Sequence, residues 1–111
     1  MSSIKFRKNG GFYSVYGDDT YILYYLFNYK ILEDRVGFPI SAFNKVTNVL
    51  NEKYISYDEV NFKKRNKYNI YVELGKKKYS IDYRIKCILD KINSLNESEI
   101  DDILNFIESK L

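Results

Sequence analysis

Chemistry at neutral pH needs a side chain that can carry a proton, attack an electrophile or hold a metal, and this chain has few of them. It contains no histidine, so the ordinary imidazole base is missing. Its one cysteine, Cys87, can form no internal disulfide or cysteine-rich metal site and has no neighbour in sequence to activate it. The acids come in adjacent pairs, Asp18-Asp19, Glu33-Asp34, Asp58-Glu59 and Asp101-Asp102. Adjacent side chains diverge on any regular element rather than converging on one ion. A metal-dependent nuclease wants Asp, Glu and Lys together on a hairpin, and Asp58, Glu73 and Lys76 approximate that set. Lys76 nevertheless stands three positions after Glu73, where the pattern needs two, so on a strand it leaves by the opposite face. The expectation is a protein that is not an enzyme and has no cofactor and no metal.

Recognition chemistry is better represented. Residues 61–91 hold ten basic and three acidic side chains, whereas residues 92–111 hold one and five. Lys63, Lys64, Arg65, Lys67, Lys76, Lys77 and Lys78 form a stripe that suits phosphate, because neutralising backbone charge releases counterions. The same stripe is also read as a solvated, lysine-rich hairpin. Twelve tyrosines suit surfaces that are apolar on one side and wet on the other, or reflect biased composition. In Gly10-Gly11-Phe12-Tyr13-Ser14 the glycines weaken a strand, which points to a backbone that must be approached closely. Phe12 is then either a contact aromatic or an ordinary strand aromatic packed inward.

These residues need elements to position them. Ile4 to Arg7 and Phe12 to Tyr16 read as short strands, and Asp18 or Asp19 as the cap of a buried helix. Lys30 to Val36 reads as extended, and Gly37-Phe38-Pro39 stops any helix. Ser41 caps a second helix with Ala42, Phe43, Val46, Val49 and Leu50 inward. Tyr54 to Val60 fits a strand. Tyr68, Ile70, Val72 and Leu74 alternate, and Gly75 permits a turn toward Tyr79 and Ile81, so residues 61–81 read as a basic β-hairpin. From about Asp82 the period becomes helical, and Asn96 with Glu99 has capping-box spacing before a last helix; residues 82–111 read as a helical hairpin. The apolar stripes of these last helices suit a core or a homodimer through the C-terminal helix. The whole reads as one α/β (α+β) domain: a mixed sheet of about five to six strands with helices packed on it, ending in two helices. No apolar run is long enough to cross a bilayer and no secretory signal is visible, so the expected compartment is the cytoplasm and no membrane partner is expected.

Gly11-Phe12-Tyr13, then Tyr16, Asp18 and Asp19 at a helix start, then Gly37-Phe38-Pro39 before a second helix and Tyr54-Ile55-Ser56, resembles the N-terminal mismatch-recognition domain of the MutS family. The likeness covers roughly residues 5 to 60 and would make this a small stand-alone relative. It implies that Phe12 wedges at a mispaired base through the minor groove, and that Ser14 occupies the position where the family has a base-bonding glutamate. Serine is shorter and uncharged. No phosphate-binding Gly-x-x-x-x-Gly-Lys-Ser/Thr loop occurs, so the chain carries no ATP-driven clamp. The expected function is a non-catalytic nucleic-acid-binding module, with double-stranded DNA as partner. The alternative is a protein-interaction module, such as an accessory or inhibitor protein of a phage or other mobile element, acting as monomer or homodimer.

Overall fold

The computed structural model describes residues 2–111, and its first regular element is a hairpin. Strand β1, Arg7–Asn9, pairs antiparallel with β2, Phe12–Tyr16. The two are joined by Gly10-Gly11, where Gly10 takes a φ of 60° that a side chain would disfavour. Strand β3, Arg35–Pro39, lies antiparallel on the other side of β2, giving a three-stranded sheet in the order β1-β2-β3.

Between β2 and β3 runs helix α1, Asp18–Phe27, with Thr20, Ile22 and Leu23 buried. Asn28 ends it in the left-handed conformation, its N–H returning to the Tyr24 carbonyl at 3.0 Å. After β3 a 3-10 turn, Ile40–Ala42, leads into α2, Phe43–Glu52, whose inward side is Val46, Thr47 and Leu50. A basic 3-10 turn, Lys63–Arg65, precedes the long helix α3, Tyr68–Asn93, and α4, Glu97–Lys110, closes the chain.

The chain divides into two units, one ending at Tyr79 and the other Ser80–Leu111. The first has a single hydrophobic core in which Ile4, Val15, Val36 and Phe38 meet Ile22, Leu23, Val46, Leu50 and Ile55, with Tyr68 and Val72 from the start of α3. Burying side chains of this size stabilises by about 1.5–3 kcal/mol each relative to exposure. Aromatic rings close one end: Tyr13 stacks on Phe43 at 4.3 Å between centroids, and Phe6 meets Phe38 edge-on at 5.8 Å. In the second unit no described residue is buried.

The expectation of a mixed sheet of five to six strands is wrong: the sheet has three strands and every pairing is antiparallel. Residues 61–81 are no hairpin but a 3-10 turn and the first half of α3. The alternation Tyr68, Ile70, Val72, Leu74 is real, yet the residues that go inward are Tyr68, Val72 and Gly75, at helical spacing, while Ile70 is 56% exposed. Gly75 makes no turn. A Cβ there would overlap the Tyr21 carbonyl group, so the glycine lets α3 touch the backbone of α1. Residues 54–60 form no strand, only isolated bridges, because Tyr54 and Asp58 take positive φ values of 57° and 43° that break the extended run. Ile4 makes one such bridge to Tyr57, and the first strand starts only at Arg7.

Neither expected cap is made by its side chain. Gly17 occupies the cap position of α1 and Ala42 that of α2. The box at Asn96 and Glu99 is present, with Glu99 N–H donating to Asn96 Oδ1 at 2.9 Å. No described helix is long and apolar enough to cross a membrane.

Candidate nucleic-acid interface

Strand pairing puts cross-strand partners on the same face of a sheet. The register Tyr13 with Phe38 and Val15 with Val36 defines the face turned to the core. The opposite face is therefore built from Arg7, Ser14 and Gly37 in one row, from Asn9, Phe12 and Pro39 in the next, and from Tyr16 with Arg35 beyond. Phe12 is 56% and Tyr16 47% exposed, and Arg7, Asn9, Arg35, Gly37 and Pro39 are all exposed. Phe12 does not pack inward; Tyr13, next to it, takes that place.

The face is chemically one-sided. The Arg7 guanidinium lies 5.8 Å from the centre of the Tyr16 ring, an arrangement that holds a cation over an aromatic surface. Arg35 borders a depression lined with Tyr16, Leu32 and Glu33. Among the described residues neither arginine has a carboxylate at ion-pair distance. Ser14 sits at the middle of the face, only 6% exposed. Opposite it Gly37 adds no side chain, so the row between Phe12 and Tyr16 is low.

The remaining expected site residues lie elsewhere. Lys63, Lys64 and Arg65 form the 3-10 turn, and Arg65 and Lys67 lie over the Tyr54 ring at 5.9 and 5.8 Å. Lys76 pairs with Asp18 at 3.4 Å and Glu73 at 3.9 Å, and Lys78 donates to Asn28 Oδ1 at 3.0 Å from above the Tyr24 ring. Lys77 lines an apolar groove with Ile70 and Leu74 on α3. No hydrogen bond, ion pair or ring contact among the described residues joins any of the seven to Phe12 or Ser14. The basic stripe thus resolves into an exposed turn, Lys76 and Lys78 engaged with α1 and its C-terminal end, and Lys77 on α3 itself.

Sequence reasoning missed Arg7, Tyr16 and Arg35. The signal for the first two was there: Gly-Gly between two short polar-aromatic runs is a two-residue hairpin loop, which pairs residue 9 with 12 and 7 with 14. Arg35 required knowing that β3 joins β2.

The acid pair at the start of α1 is structural. Asp19, buried, accepts from the Lys5 N–H at 2.9 Å and from the Tyr68 hydroxyl, tying the N-terminal segment to α1 and α3. Burial pushes the Asp19 carboxyl above its ordinary range, against those two hydrogen bonds. Burial, and then the Asp19 carboxylate, push the Tyr68 phenol above its usual value. Asp58, from the supposed metal set, accepts from the Phe6 N–H at 3.1 Å, and no group of three Cys, Asp or Glu among the described residues could hold an ion.

No protein-family model, curated protein or solved structure matches this chain.

Proposed function

We propose that the exposed face of the sheet binds nucleic acid, with double-stranded DNA as its ligand. The observation that carries this reading is Phe12: a large apolar side chain, more than half exposed, on the same sheet face as Arg7 and Arg35, two arginines that lack carboxylate partners. An exposed phenylalanine on a rigid strand is suited to enter a base step, and unstacking costs least where pairing is already defective. Arg7 and Arg35 supply the cations for flanking phosphates, and Tyr16 a second stacking surface. Ser14 is too covered and too short to reach a base, so it acts as floor to the trough. Any preference for a mismatch then comes from deformability rather than from a hydrogen bond to the base. Lys63, Lys64, Arg65 and Lys67 add longer-range attraction, and Lys76, Lys77 and Lys78 contribute to the field more than to contacts.

The test is fluorescence anisotropy with matched, single-mismatch and single-stranded oligonucleotides at two salt concentrations. Binding is expected to weaken as salt rises. Phe12→Ala should lower affinity roughly 5- to 100-fold, the worth of one stacked base. Arg7→Ala with Arg35→Ala should flatten the salt slope. Absence of binding to all three ligands at low salt overturns the reading.

A further inference from the structure

The second unit poses a separate question. On α3, Ile81, Ile85, Ile88 and Leu89 share one face and are 46–56% exposed. On α4, Leu104 and Ile107 continue a stripe with Ile100 and Ile103 and are 48% and 46% exposed. Among the apolar residues of these stripes, those near the turn, Ile92, Leu95, Ile100 and Ile103, are half-buried. Two helices joined by a short turn can bury one seam, and here each helix keeps apolar surface outside it.

Charge indicates what covers that surface. The Ser80–Asn93 half of α3 carries Arg84, Lys86 and Lys91 against Asp82 and Asp90, a net of +1 (3 − 2). Helix α4 carries five acids and Lys110, a net of −4 (1 − 5). On helical spacing Arg84 and Lys91 border one edge of the α3 stripe and Asp82 the other, while Glu97, Asp101 and Glu108 border one edge of the α4 stripe and Lys110 the other. Both stretches are 14 residues long. The unit therefore bears two apolar stripes of equal length, one with a cationic edge at Arg84 and Lys91 and one with an anionic edge at Glu97, Asp101 and Glu108. A two-fold axis matches these twice, α4 of each copy on α3 of the other, and keeps the two α4 helices, repulsive at −4 each, from facing.

We propose that Ser80–Leu111 is a dimerisation element, in which two copies of this chain close a four-helix arrangement with α4 of each on α3 of its partner. The apolar stripes supply the affinity and the edge charges set the pairing.

The test uses the full chain, with no nucleic acid, in sedimentation equilibrium across micromolar to submillimolar concentrations. The expected species is twice the 13.3 kDa chain mass. Ile88→Asp and Ile107→Asp should each raise the dissociation constant at least about 100-fold, as loss of a central apolar anchor does. Two charge variants test the arrangement: Arg84→Glu with Lys91→Glu, and Glu97→Lys with Asp101→Lys. Each alone should be monomeric, and an equimolar mixture should form a heterodimer, because each acidic helix then meets a basic one. Circular dichroism checks that both remain helical. A wild-type monomer throughout overturns the proposal, whether another segment of the chain or another protein covers the face. So does a dimer indifferent to both aspartate substitutions, or a mixture that stays monomeric.

Discussion

The unit ending at Tyr79 and the unit Ser80–Leu111 are built from similarly apolar sequence, yet one buries it and the other does not. In the first, sheet and helices enclose Ile22, Leu23, Val36, Val46 and Leu50 with no exposure at all. In the second, isoleucines at helical spacing remain about half in water. Apolar content alone does not make a core. A third layer is needed for the stripe of each helix to face, and in the first unit the sheet provides it.

Substitution separates the two units most sharply. Ile22→Ala should destabilise by about 2–5 kcal/mol in chemical denaturation. Ile88→Ala, measured at dilutions where chains are monomeric, should cost less than about 1 kcal/mol. Equal losses would break the contrast. Next in size is Gly75→Ala. An exposed helical glycine gains about 1 kcal/mol on becoming alanine, but here the methyl would meet the Tyr21 backbone, so the expectation is a loss of about 1–3 kcal/mol. A gain in thermal midpoint would show that α1 and α3 separate freely.

Tyr68→Phe should cost about 1–2 kcal/mol by leaving buried Asp19 short of a donor. It also carries a pH signature. The Tyr68 phenol titrates higher when folded than when unfolded, so the unfolded state loses its proton first. That contribution is intact below the ordinary tyrosine value near pH 10, and is lost as pH rises from there through the folded value. Over that window wild type should lose about 1.4 kcal/mol per pH unit more than Tyr68→Phe; parallel curves would place the phenol in water. Asp19 has the same sign lower down: its contribution is intact below its unfolded value and declines as pH rises through the raised one. Smallest is Asn96→Ala, expected to cost about 1 kcal/mol of helix stability through loss of the capping box. Hydrogen exchange should register it in α4 amides alone; slowed or quickened exchange in β2 would mean that the units unfold together.

What could be read from sequence follows the range of the forces involved. The Asn96–Glu99 box and the α4 stripe depend on residues three and four apart, and both were legible. Strand β2 was legible for the same reason. Residues 68–81 were not, because the period-2 run Tyr68, Ile70, Val72, Leu74 overlies the helical set Tyr68, Val72, Gly75. The last of these buries backbone rather than a side chain, which no hydrophobic pattern records. Asp19 looked like a cap, but its partners are Lys5 and Tyr68, one of them 49 positions away. Of the proposed interface, Phe12 was visible and Arg35 was not, since a neighbour across β2–β3 depends on a pairing that spans α1.

The sheet also has two open edges. A bare strand edge is a template for another chain, and proteins guard against this with brevity, charge and proline. Here β1 is three residues long with Arg7 and Lys8 among them, and β3 ends in Pro39, which has no N–H to offer. Strand addition is therefore discouraged on both sides. A concentrated solution of this protein should resist fibril growth from its sheet.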